Sequence, residues 1–331
     1  MSAGDDCEEV GEVGADERDA ADAAPARSGA MTRIKQVLPW VIAAAILWWL
    51  FRRVSFADAL VAAEHARLEV FVPAVLLAVT AWFWIESIAF AYLFSRFNAP
   101  VSRRESRGLR AVTYLVTPIN WNLGTGAIIL HLRRSKGIAA LEATSSMLFY
   151  FLIDALALGS LMLLGVALLP ASPALQSVGR AAAVIVGMQL VLLLFFLPRW
   201  PAWRWVDRVK AFKVFRTHGQ ARWRDVGFLL GIRMLYFGCF VLFFWVGTRA
   251  FHVDAPLLFM AASVPVILAV GALPITPAGL GTQQAAMLYF FAPFGTEAQI
   301  LAYGLAFPVA VSLGRVLLGL FYLGDLRALR R

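Results

Sequence analysis

Four ionisable residues stand inside long apolar runs of the chain: Glu86, Asp154, Arg233 and Arg315. A charge at membrane depth costs about 2.5–3.5 kcal/mol on insertion scales, so each is a candidate for function. Both acids fall in the first half of the sequence and both arginines in the second. Glu86, Arg233 and Arg315 lie seven or eight residues from one end of their apolar runs, about 11–12 Å deep at 1.5 Å per residue. Asp154 lies deeper, near the middle of its run. One chemistry for such a set is structural, with Glu86 pairing Arg233 across the halves. The other is anion binding, because the planar guanidinium fork matches the oxygens of a phosphate. The two agree if Glu86 and Asp154 act as intramembrane partners that release an arginine when substrate arrives.

Neutral polar groups gather where the apolar pattern breaks. The run Thr117-Pro118-Ile119-Asn120-Trp121-Asn122-Leu123-Gly124-Thr125-Gly126 offers Asn120, Asn122 and Thr125 as substrate-binding candidates. The run Thr276-Pro277-Ala278-Gly279-Leu280-Gly281-Thr282-Gln283-Gln284 offers Thr276, Gly279, Gly281, Gln283 and Gln284. A helix restarting after such glycines aims free N–H groups and its positive end inward, a cradle for an anionic or hydroxylated headgroup. Broken backbone at membrane depth persists only where protein or water satisfies its polar groups. No Cys/His metal spacing, phosphate loop or nucleophile elbow occurs, and Cys7 and Cys239 do not make a disulfide framework. No catalytic residue, metal or cofactor is expected, and the chain reads as a non-enzyme. His65, His131, His218 and His252 are assigned no role.

The elements that position these groups follow from composition. Of 331 residues, 60% are hydrophobic and 15% charged, and the mean hydropathy is +0.72, which excludes an ordinary soluble enzyme. Eight apolar stretches lie at roughly 37–51, 70–94, 109–130, 139–169, 178–197, 226–248, 256–294 and 299–323. Segments 27–36, 95–110, 131–138, 198–225 and 324–331 hold 22 Lys and Arg, whereas 52–69, 170–180, 249–255 and 295–298 hold 5. The positive-inside rule makes the first group cytoplasmic, with both termini, and the second external. Stretch 109–130 then has both ends inside and stretch 256–294 both ends outside, so neither is a simple crossing. The expected fold is an all-α polytopic membrane protein of six transmembrane helices plus two re-entrant helical hairpins. Its halves, about 34–169 and 178–326, form an inverted-topology repeat of the kind transporters use. Eight plain spanning helices with proline kinks are the alternative.

Residues 1–26 net −8 and the remainder +17. The leader, taken to residue 33, reads as a disordered acidic cytoplasmic tail rather than a signal peptide, and 327–331 as a basic one. Trp40, Trp48, Trp49, Trp82, Trp84, Trp200, Trp203 and Trp205 read as interfacial anchors, and 199–224 as an amphipathic helix on anionic lipid headgroups. A nucleic-acid partner does not fit eight apolar segments. A homo-oligomer is compatible with the composition.

The run Pro277-Ala278-Gly279-Leu280-Gly281-Thr282-Gln283-Gln284 resembles the signature of the flippase-like family, the transmembrane domain of lysylphosphatidylglycerol synthases. The stretch Pro118 to Thr125, the Arg133-Arg134 loop and the helix with Asp154 follow in the order of that family's first half. The resemblance covers about 34–326. It implies a two-repeat fold with re-entrant hairpins and a lipid translocator in the cell membrane, its headgroup passing between the hairpins. Gln284 stands where the family usually has Glu, and Thr125 where the first hairpin usually has Gly-Glu. Those departures favour a neutral, glycosylated or phosphate-bearing lipid, phospholipid or polyprenyl-linked, over a cationic aminoacyl one. The aminoacyltransferase domain of bifunctional members is not in this sequence, so synthesis of the lipid is not expected. A membrane-embedded glycosyltransferase using a lipid-linked sugar donor and a small-solute secondary transporter are the competing classes.

Overall fold

The computed structural model describes residues 27–117, 121–169, 173–196, 212–272, 276, 279 and 281–322. The acidic leader 1–26, the tail 327–331 and the first half of the proposed surface helix, 199–211, lie outside the described residues. The helices are α1 (Arg27–Arg53), α2 (Phe56–Glu64), α3 (Leu68–Phe97), α4 (Arg103–Val116), α5 (Trp121–Lys136), α6 (Ala140–Leu168), α7 (Pro173–Phe196), α8 (Arg216–Gln220), α9 (Trp223–Ala250), α10 (Leu257–Ala272), α11 (Thr282–Phe291) and α12 (Glu297–Phe321). Among the described residues α3, α6, α7, α9 and α12 are long and apolar enough to cross a membrane. The protein is therefore an all-helical, multi-pass membrane protein.

The helices begin where the sequence supplies caps. Ser55 accepts from the Asp58 amide at the start of α2, Ser102 from the Glu105 amide at the start of α4, and Thr296 and Gln299 cap α12 reciprocally. Segment 52–69, expected as a plain external loop, instead contains α2. Residues Trp40–Arg52 and Phe56–Glu64 meet at 76°, which makes the pair either one broken span or a re-entrant loop.

The two interrupted stretches fold back on themselves. A Cβ on Gly124 would sit 3.0 Å from Thr117 Oγ1 and 3.8 Å from Thr113 Cβ. A continuous helix would separate residues 113 and 124 by about 16 Å, so α5 returns along α4. At the outer ends of the pair Glu105 Oε2 meets Lys136 Nζ at 3.2 Å. The second pair behaves alike, since a Cβ on Gly271 at the end of α10 would lie 3.5 Å from Gln283 Cδ on α11. The first pair begins at Arg103, before the apolar run at 109, because the opening turns of α4 (RRESRG) are polar.

Packing partners are exchanged between the halves. Helix α6 of the first half packs on α10 and on α7, while α12 of the second half packs on α4 and on α2. Helices α3 and α9 pack on each other at the centre. Glycine makes both exchanges close: a Cβ on Gly165 of α6 would lie 2.5 Å from the Ala262 amide of α10, and one on Gly319 of α12 would lie 2.8 Å from the Leu115 side chain of α4. Between α3 and α9, Trp82 stacks on Phe240 at 4.8 Å and is fully buried. This corrects the expectation that Trp82 is an interfacial anchor. It lies at mid-helix, where its area fills the core between the halves. Trp40, Trp48, Trp49 and Trp84 are exposed, and Trp200, Trp203 and Trp205 lie outside the described residues.

Candidate functional site

Where the halves meet, a cavity of about 380 Å³ is lined by α3, α4, α5, α6, α9, α10 and α12. Its walls are mostly aromatic and aliphatic, including Phe90, Tyr150, Phe151, Tyr236, Phe237 and Phe240. Its polar groups converge from both halves: Glu86, Arg110, Thr113, Thr117, Thr125 and Asp154 from the first, Arg233 and Arg315 from the second.

The charges form a chain. Glu86, 3% exposed, is held by Arg110 of α4 through Nη2, and its other oxygen lies 3.6 Å from Arg233 Nη1. Arg233 pairs in turn with Asp154 of α6 and donates from Nη1 to the Tyr150 hydroxyl at 2.7 Å. Its guanidinium lies 4.0 Å from the Tyr236 ring centroid, a cation–π contact that adds to the pairing. Arg110 also donates to Thr113 Oγ1 at 3.2 Å, and that hydroxyl donates to the Arg110 carbonyl at 2.8 Å. Buried charges survive only when paired and hydrogen-bonded; Glu86, Arg110 and Arg233 are both, and the half-buried Asp154 is paired with Arg233.

Arg315 differs. Among the described residues it has no carboxylate partner. It lies over the Tyr114 ring at 5.4 Å, and its buried Nε has no hydrogen bond. Three arginines and two acids line the cavity, which leaves one formal positive charge uncompensated.

Of the sequence-selected residues, Glu86, Asp154, Arg233, Arg315 and Thr125 line this cavity. Asn120 lies outside the described residues, as does the side chain of Asn122. The second break does not supply cavity walls through the residues singled out. Thr276 meets Thr282 at 3.2 Å between their hydroxyls. Gly279 and Gly281 take φ of +72° and +84°, and a Cβ on Gly279 would lie 2.7 Å from the Gly271 carbonyl. Both positions therefore require glycine for backbone reasons. Gln284, 2% exposed, accepts from the Gly281 amide at 2.7 Å and donates to the Gly304 carbonyl at 2.9 Å. It ties the tip of the second pair to α12 rather than facing the cavity. Gln283 lies beside Gly271. Instead, α10 contributes Leu268 and Ala272 to the cavity.

Sequence reasoning missed Arg110, which it counted among the bases of a cytoplasmic loop. Depth was the usable signal: from Ser102, the cap of α4, Arg110 is about 12 Å into the helix at 1.5 Å per residue. Helical phase gave no warning, because Arg103, Arg107 and Arg110 fall on one stripe.

Comparison with known proteins places this architecture. The sequence model of a family described as the lysylphosphatidylglycerol synthase TM region matches residues 36–319. No curated protein shows a significant match to the chain.

Proposed function

The chain belongs to the lysylphosphatidylglycerol synthase TM-region family, and on that premise we propose that it is a lipid translocator. The polar headgroup passes through the cavity between the two folded-back helix pairs while the tails stay in the bilayer. The observation that carries this reading is the convergence of Glu86, Arg110, Asp154, Arg233 and Arg315, from both halves, on one cavity. A purely structural ion-pair cluster would balance its charges, and this one has an arginine left over.

Topology supports the same reading. Helices α4, α5, α10 and α11 have 14, 16, 16 and 10 residues, or about 21, 24, 24 and 15 Å at 1.5 Å per residue, against a hydrocarbon core of about 30 Å. None spans alone, and each pair folds back, so we read them as re-entrant hairpins. The long helices and the bent α1–α2 pair then give six crossings. The exchanged packing favours an inverted repeat, and the charge bias favours cytoplasmic termini in the cell membrane. The α4–α5 pair enters from the cytoplasmic side and the α10–α11 pair from the outside. The headgroup is neutral, glycosylated or phosphate-bearing.

A small-solute transporter is the second reading, favoured by a cavity volume in the range of ordinary small-ligand pockets. Purified protein in proteoliposomes, supplied with headgroup-labelled phospholipid in one leaflet, separates the two. Translocation above protein-free vesicles is expected. Translocation equal to protein-free vesicles would overturn the lipid reading.

A further inference from the structure

Resting on the translocator reading, we propose that the cavity selects a lipid whose headgroup carries one negative charge on a phosphodiester, with Arg315 and Arg110 as its anion subsite. The two guanidinium groups come from opposite halves of the chain and lie over the same ring, Tyr114, at 4.6 Å for Arg110 and 5.4 Å for Arg315. Arg110 is 6% exposed, and its Nε is buried without a hydrogen bond. The Arg315 Nε is likewise buried and without a hydrogen bond among the described residues. Two unsatisfied guanidinium donors on cavity-lining residues thus accompany one uncompensated positive charge. A buried donor without a partner is destabilising, more so when charged, so the site is built for acceptors it does not itself contain.

Charge selects among acceptors. A phosphodiester brings one negative charge and two non-bridging oxygens that only accept, matching the single excess charge and the guanidinium geometry. A phosphomonoester carries about −1.5 to −2 at neutral pH. It would leave negative charge in excess or draw an arginine from Glu86 or Asp154, stranding a buried acid. A neutral glycolipid would leave Arg315 uncompensated. The Thr117 hydroxyl on the adjoining wall donates to the Thr113 carbonyl and keeps lone pairs that can accept from the polar remainder of the headgroup.

Native mass spectrometry of the purified full chain tests this, using lipids of identical tails bearing a neutral glycosyl, a glycerol phosphodiester or a phosphomonoester headgroup. The water-soluble deacylated phosphodiester is the fourth ligand. The wild type is expected to hold the phosphodiester lipid at least about tenfold more tightly than either other lipid. Arg315→Gln is expected to abolish that preference while retaining the neutral lipid, which shows the variant is folded, and Arg315→Lys to restore part of it. Equal binding of neutral and phosphodiester lipids by the wild type, or an unchanged preference in Arg315→Gln, would overturn the proposal and leave the lipid reading standing. Binding of the deacylated phosphodiester as tightly as the lipid would overturn the lipid reading and leave the anion subsite standing.

Discussion

Glu105 and Lys136, at opposite ends of the α4–α5 pair, meet at 3.2 Å. The same carboxylate lies 3.7 Å from His131 Nε2. The pair enters and leaves the fold at one place, and the proposed topology puts both of its ends in the cytoplasm, as the basic residues around them favour. Cysteines placed at the exposed positions Arg103 and Lys136, in a background lacking Cys7 and Cys239, are expected to react only with cytoplasmic reagent. Labelling of either one by an impermeant external maleimide would show that the first pair spans the bilayer.

The chain of charges makes a specific demand on pairwise neutralisation. Removing Glu86 and Arg233 together would strand Arg110 and Asp154, because each has its partner in that pair. Removing Glu86 and Arg110 together leaves the Arg233–Asp154 pair intact and the net cavity charge unchanged. Glu86→Gln with Arg110→Gln is therefore expected to unfold within a few degrees of wild type in detergent. Glu86→Gln with Arg233→Gln is expected to lose about 3–5 kcal/mol, the cost of a broken buried pair. Thermal unfolding of the two double variants checks this, and equal midpoints would contradict the chain as described.

Gln284 holds the tip of the second pair through both ends of its amide. Gln284→Glu sets a carboxylate oxygen against the Gly304 carbonyl, replacing a donor by an acceptor. The expected result is a loss of about 1–3 kcal/mol of stability with headgroup selectivity unchanged, since the side chain does not line the cavity. A shift in lipid preference without loss of stability would place this tip in the headgroup path.

His218, outside the spans, is buried among Phe149, Phe196 and Phe215, and burial pushes its imidazole down to about 4. The unfolded chain binds this proton near the ordinary value of about 6.5, so the folded state binds fewer protons between the two. The stability His218 contributes is full above about pH 6.5 and is lost as pH falls toward 4. His218→Phe is expected to flatten that part of the profile of unfolding midpoint against pH. An unchanged slope would show that His218 is not its source.

Much of the architecture was legible because membrane depth constrains residue type so strongly. Loop charge led to the expectation that both ends of 109–130 lie on one side, and α5 does fold back along α4. Glu86, Asp154, Arg233 and Arg315 stood out because each lies well inside its apolar run, whereas Glu142 stands three residues from the start of its own. Arg110 was hidden by a boundary: α4 opens with a polar face, so the apolar run starts late and its buried arginine resembled one more loop base. The orientation of the second break was not legible either. Sequence shows that Thr276, Gln283 and Gln284 can donate and accept, but where they aim depends on how the tip packs against α12, a tertiary contact without a local signature. The same holds for Trp82, whose type suits an interface and whose position at mid-helix placed it in the core.

If the headgroup travels through the cavity between the halves, blocking that cavity stops translocation. Thr125 lines the cavity, whereas Val184 on α7 is 69% exposed on the outer surface. Single cysteines at each position, in a background lacking Cys7 and Cys239, are modified with a bulky maleimide, and translocation of labelled phospholipid is followed in proteoliposomes. Modification at Thr125→Cys is expected to abolish translocation, and modification at Val184→Cys to leave it intact. Undiminished translocation with the Thr125→Cys site fully modified would show that the lipid takes another path.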